Sequence, residues 1–122
     1  TELPVSDAQA ATGVTAAWSA GDAGTVVRLT TNGFGGAIDL MVGVDNKNKV
    51  TGVAIISHSE TASLGANCTR EDFRAQFAGK TGELAVSKDG GDIDALTGAT
   101  VTSRAVTRAV NAALAYAGEV QK

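Results

Sequence analysis

A chain of 122 residues fits one compact domain and leaves little room for a second. Its 43% hydrophobic and 19% charged content is that of a globular protein and excludes a disordered tail. Ten basic against thirteen acidic residues give a net charge of -3, with no basic block to neutralise a phosphate backbone, so no nucleic-acid partner is expected. One Cys and one His exclude a disulfide framework and a Cys- or His-rich metal centre within the chain, and no metal site is expected. The apolar stretch 37–44 is broken by Asp39 and is far short of a membrane span. Aromatics are only 4% of residues, so the core must be built from Val, Ile, Leu and Ala. Fifteen Gly against one Pro point to tight backbone turns. The start, Thr1-Glu2-Leu3-Pro4, has neither a secretory signal nor an initiator Met, and the expectation is a processed chain whose natural N-terminal segment precedes Thr1.

Residues 14–18 read as a weak strand, and Trp18 is assigned to the core. The β-branched run 25–31, bounded by Gly21-Asp22-Ala23-Gly24 and Asn32-Gly33, is a strand between turns. From 37 to 45, Ile38, Leu40, Val42 and Val44 alternate with the other residues, the period of a half-buried strand. The polar stretch 45–49 is a turn, 50–57 is a further strand, and the two strands form an antiparallel hairpin. A small-residue loop, 57–65, follows. Thr69 is placed as the N-cap of a short helix with Asp72 at its third position; Phe73 and Phe77 share one face, and Gly79 stops it. Residues 83–87 are assigned to a strand and 88–91 to a turn. Val101, Ala105, Val106, Ala109, Val110, Ala113, Leu114 and Ala117 recur at helical spacing, with Arg104, Thr107, Arg108 and Asn111 opposite. Thr102 or Ser103 is placed as the cap of this helix and Gly118 as its end. The expected fold is α+β: a twisted, mostly antiparallel sheet with a short helix and a long C-terminal amphipathic helix packed on it.

Three motif matches fail. Gly33-Phe34-Gly35-Gly36 lacks the third glycine of a dinucleotide fingerprint, because Ile38 stands there and a strand follows. Gly79-Lys80-Thr81 resembles the end of a P-loop, but Arg74 occupies the leading glycine position. His58-Ser59-Glu60 opens like a zinc deaminase motif without the Cys pair that must follow. A Cys68–His58 nucleophile pair is weaker than the reading of Cys68 as a small buried hydrophobe.

The segment 94–103, Asp-Ala-Leu-Thr-Gly-Ala-Thr-Val-Thr-Ser, stands apart. It sets small residues and hydroxyls at the mouth of the amphipathic helix, where unpaired N–H groups and the positive dipole end suit a phosphate. Local physics alone also allows an ordinary hydroxyl-rich helix cap. The string Asp94-x-x-Thr97-Gly98-Ala99-Thr100 resembles the recognition sequence for covalent flavinylation, in which a flavin transferase joins FMN through its phosphate to the last threonine. A chance fit to the extended pattern in a chain this long has a probability on the order of 10⁻⁵ from average residue usage. The loop Ser57-His58-Ser59-Glu60-Thr61-Ala62-Ser63-Leu64-Gly65 resembles the H-x-E-T-P-G-L-G loop of the FMN-binding domain family. That family includes the G component of Rnf complexes and the C component of the Na⁺-translocating NADH:quinone oxidoreductase. The order of elements agrees from about residue 25 to 114, within a single FMN-binding domain spanning 1–122. Ala62 and Ser63 depart from the family's Pro and Gly.

The resemblance implies that Thr100 bears FMN as a phosphoester and that Asp94 is read by the transferase. Thr97, Gly98 and Ala99 match the recognition positions, and Thr102 and Ser103 the polar positions near the phosphate. Glu60, Thr61, Leu64 and Gly65 match the loop against the flavin; His58 reads as a solvated turn residue. No catalytic residue is expected, because the implied role is an electron-transfer flavoprotein domain like the G component of an Rnf-type, ion-translocating complex. Its implied partners are the transferase and the other subunits. Its implied place is the extracytoplasmic side of the cytoplasmic membrane, held by an N-terminal anchor absent from this sequence. Alternatives are a free-standing extracellular FMN-binding electron carrier and a non-redox binding module.

Overall fold

The strands expected between 14 and 57 are realised as β1 (Val14–Ser19), β2 (Thr25–Asn32), β3 (Ala37–Val44) and β4 (Val50–His58). They form one sheet in the order β1-β2-β3-β4, every pair antiparallel, so the expected hairpin of β3 and β4 is present. The computed structural model describes residues 3–19, 21, 24–32, 36–58, 71–81, 84–91, 93–94 and 100–120. Period two puts Val27 and Leu29 of β2, Ile38, Leu40 and Val42 of β3, and Val53 of β4 in the core. The opposite face carries half-buried Arg28, Asp39 and Met41, with Arg28 donating through Nε and Nη2 to the Asp39 carboxylate. At the β3–β4 turn, Asp45 Oδ1 accepts from the backbone N–H of Lys47 at 2.9 Å and Lys49 at 3.0 Å, closing the turn locally.

Trp18 is half-buried on the sheet's open face, not in the core. A register shift between Val14 and Ala16 is the reason. Strict alternation from Val14 would point Trp18 inward, but the irregularity hands the core position to Ala17, which pairs with Val27, while Trp18 pairs with Val26.

The C-terminal helix, α3 (Thr100–Val120), packs on β2 and β3. Ala105, Ala109, Ala113 and Ala117 recur every fourth residue and all are buried. Side chains this small let the helix settle close to the sheet, with Val106, Val110 and Leu114 filling the space between. Several expectations for this helix are corrected. It begins at Thr100, so Thr102 and Ser103 are its third and fourth residues, 1% and 0% exposed, and are not caps. Val101 is turned out of the apolar stripe and is 48% exposed. Thr107, placed on the polar face, is buried, because its hydroxyl donates back to the Ser103 carbonyl at 2.8 Å and needs no water. Gly118 does not end the helix, which continues through Val120.

Two short helices precede it. The unpredicted α1 (Asp7–Ala10) follows a segment tied to the sheet edge by Leu3 N–H donating to the Ala17 carbonyl at 2.8 Å. Tyr116 on α3 donates its hydroxyl to the Pro4 carbonyl at 2.6 Å, fixing the same segment from the other side. The expected Phe helix is one α turn, α2 (Glu71–Arg74), that tightens into a 3₁₀ turn at Ala75–Phe77. Phe73 and Phe77 are both buried, edge to face with ring centroids 5.6 Å apart. The proposed cap Thr69 lies outside the described residues.

The strand placed at 83–87 is not formed among the described residues. Val86 alone pairs, in parallel with Ile93, and a 3₁₀ turn at Ser87–Asp89 follows at once. Gly90 (φ +90°) and Gly91 fold the chain back; a Cβ at Gly91 would collide with the Ala85 carbonyl oxygen. On its other side the partner of this segment is a side chain. Asn111 Oδ1 accepts from Leu84 N–H and its Nδ2 donates to the Leu84 carbonyl, each at 2.7 Å, so one amide on α3 replaces a neighbouring strand.

Candidate functional site

The site is built at one end of the sheet. β2 ends at Asn32, β3 starts at Ala37, and Ile38 pairs with His58 at the end of β4. The end of β2, the start of β3 and the end of β4 therefore lie side by side. Two contacts orient α3 over this arrangement: Gly118 lies against the Asn48 side chain in the β3–β4 turn, at the far end, and Arg108 Nη2 donates to the Asn32 carbonyl at 3.1 Å. The N-terminus of α3 is thus directed toward the end that holds Asn32 and His58. Position 100 lies eight residues ahead of Arg108, roughly 12 Å along the axis at the α-helical rise.

The α2 unit joins this end to the string that begins at Asp94. Gln76 takes hold of the Asp94 backbone at two points, Oε1 accepting from its N–H at 2.6 Å and Nε2 donating to its carbonyl at 3.0 Å. Arg74 Nη1 donates to the Val53 carbonyl of β4 at 2.8 Å. β4 and Asp94 are consequently both anchored on the α2 unit. Asp94 itself is exposed.

Of the residues singled out in the sequence, Thr100 is the first of α3, and Thr102 and Ser103 are buried in its first turn and a quarter. Thr97, Gly98, Ala99, Glu60, Thr61, Leu64 and Gly65 lie outside the described residues, as does Cys68. The first turn of α3 contains no acidic residue. Its leading N–H groups have no acceptor within the helix, and the dipole adds positive potential there, a combination that accommodates a phosphate monoanion.

Two features were not read from the sequence. Ile55 pairs with Leu40 and Ser57 with Asp39, which leaves Ile56 as the extra residue of a bulge, 46% exposed near the end of β4. The adjacent isoleucines, breaking a period of two, were its trace in the sequence. The second is a bidentate ion pair: Arg104 donates from Nε to Asp89 Oδ2 at 2.9 Å and from Nη2 to Oδ1 at 2.8 Å. The hydrogen bond first, and the carboxylate charge second, raise the guanidinium pKa further above its ordinary value. This pair borders a groove of about 200 Å³ between α3 and residues 84–89, lined also by Leu84, Val86, Thr107 and Arg108. Among the described residues no three His, Cys, Asp or Glu come together as a metal site, and no helix is long and apolar enough to cross a membrane.

Residues 33–115 match the FMN-binding domain family. The chain is 46% identical over 93 residues to the G component of the proton-translocating ferredoxin:NAD(+) oxidoreductase complex of Clostridium ljungdahlii, an alignment covering 73% of this chain and 50% of that protein. It is 47% identical over 94 residues to the G component of the ion-translocating oxidoreductase complex of Salmonella typhimurium, covering 70% of this chain and 46% of the relative. With the component of the same name from Methanosarcina acetivorans the identity is 37% over 95 residues, covering 76% and 50%. The chain spans about half the length of these relatives.

Proposed function

The chain belongs to the FMN-binding domain family, and from that premise we propose that it holds FMN covalently, as a phosphoester of Thr100, as an electron carrier like the complex components it is similar to. FMN is the cofactor of this family, and its isoalloxazine supplies one- and two-electron redox chemistry when bound. The observation that carries the attachment is the place of Thr100: it opens a 21-residue helix, at the end of the string Asp94-x-x-Thr97-Gly98-Ala99-Thr100. The donor set fits the group. A phosphoester carries negative charge, and the first turn of α3 has the positive end of the helix dipole and no carboxylate among its residues.

The chain's own residues bind and orient; none transfers a proton or attacks a substrate. Gln76 fixes Asp94 for recognition by a flavin transferase, and the small residues Gly98 and Ala99 give that enzyme access to the hydroxyl of Thr100. Thr97, Thr102 and Ser103 complete the polar surroundings of the phosphate. Glu60, Thr61, Leu64 and Gly65, which follow β4 in the sequence, are the residues assigned to the flavin ring. The domain thereby acts as an electron carrier in an ion-translocating oxidoreductase complex, on the extracytoplasmic side of the membrane, with the other subunits as redox partners. A covalent tether suits that place, since a dissociable cofactor would be lost to the medium.

Intact-mass spectrometry after co-expression with a flavin transferase tests the attachment. The expected gain is the mass of FMN less one water, abolished in Thr100→Ala. An adduct of full mass surviving in Thr100→Ala overturns the assignment.

A further inference from the structure

Arg104 is already oriented before any ligand arrives. Asp89 engages its guanidinium side-on, through Nε and one Nη2 proton, so both Nη1 protons and the second Nη2 proton make no hydrogen bond among the described residues. The pair is exposed, at 43% for the Arg104 side chain and 42% for Asp89, so the unused edge is open to a second anion. Its place on α3 sets which anion that is. Position 104 follows position 100 by four residues, one turn on along the same helix face, and long side chains on a helix lean toward its N-terminus. Arg108, a turn further on, is committed to the Asn32 carbonyl.

We propose that Arg104, pinned by Asp89, is the counter-ion of the phosphoester at position 100. This rests on the attachment of FMN to Thr100 proposed above, and adds a binding residue outside the string 94–103. The chemistry is that of a planar guanidinium presenting two parallel N–H groups to phosphate oxygens. Asp89 fixes the plane in advance, so little side-chain freedom remains to be lost when the phosphate arrives. The helix terminus supplies potential along its axis, and Arg104 supplies a full charge from the side.

The test compares the melting temperature of FMN-loaded and bare chains, at low salt, with loading verified by intact mass. Loading is expected to raise Tm in the parent chain. That increment falls by at least half in Arg104→Gln and is partly kept in Arg104→Lys, which retains the charge without the planar fork. It also falls in Asp89→Asn, by less than in Arg104→Gln, because the guanidinium is no longer held in its plane and must be ordered when the phosphate arrives. A merely structural role for Arg104 would lower both Tm values and leave the increment unchanged. Equal increments in the parent and in fully loaded Arg104→Gln overturn the proposal. If Arg104→Gln is not accepted by the transferase, Asp89→Asn decides alone, and an increment no smaller than the parent's overturns it. A parent chain without an adduct at Thr100 refutes the attachment itself, and the mass spectrum shows that before any melting is done.

Discussion

The two ends of α3 are held by different forces. Toward the C-terminus, Ala109, Val110, Ala113, Leu114 and Ala117 form an unbroken apolar seam on the sheet, and Tyr116 ties the helix to Pro4. At the N-terminus the buried positions are occupied by Thr102 and Ser103, the one large apolar residue of the first turn is turned outward, and Arg104 holds Asp89. Packing at one end is close and non-directional; at the other, directional polar groups take the places a seam would have used. Substitutions in the seam should therefore register in stability and leave cofactor loading alone, while those at the N-terminal end should do the reverse.

The largest effect is expected at Leu114. Truncation to Ala in a close-packed seam removes burial and leaves a cavity, costing about 2–5 kcal/mol in a denaturant titration. The chains that remain folded should accept FMN as the parent does. A cost under about 1 kcal/mol would mean that the seam is loose, and the contrast between the ends would disappear.

The seam was legible because it is local and periodic. Residues three and four apart announce a helix, alternation announced β3, and β-branched runs announced β2 and β4, all within a residue of their observed bounds. Reading failed wherever a distant group decided the outcome. Leu84, Ala85 and Val86 look like a strand, yet the partner of Leu84 is the side chain of Asn111, 27 residues away. Trp18 was misplaced because one irregularity in β1 reverses the parity of everything after it. The same division runs through the site. Thr100 and Asp94 were singled out because the string that joins them is contiguous, whereas the pairing of Arg104 with Asp89 joins residues 15 apart and leaves no pattern in either segment.

A smaller effect separates packing from hydrogen bonding at the C-terminal end. Tyr116→Phe keeps the ring in the core but removes the hydrogen bond to Pro4, a loss of about 0.5–1.5 kcal/mol near neutral pH. Burial raises the Tyr116 pKa above its ordinary value, so the folded chain resists ionisation of the phenol more than the unfolded chain does. The advantage of Tyr over Phe is full below the unfolded pKa of about 10 and shrinks as pH rises through that value toward the raised one. Because the chain has a single Tyr, ultraviolet absorbance of the phenolate reports the site directly. Melting both proteins across that range should show the gap closing; a gap that widens with pH would contradict a buried, proton-donating hydroxyl.

The smallest effect belongs to Val101, and it bears hardest on the contrast. Sequence periodicity assigns Val101 to the seam, where Val→Ser would remove a buried side chain and cost well over about 1 kcal/mol. The structure turns it outward at 48% exposure, where a surface substitution costs within about 0.5 kcal/mol and the helix propensities of Val and Ser nearly cancel. Unfolding of the bare Val101→Ser chain therefore weighs the two assignments against each other without any cofactor present. A loss above about 1 kcal/mol would place Val101 in the core after all. It would also rotate the first turn of α3, moving Arg104 away from Asp89 and position 100 away from the polar end on which the phosphoester site depends.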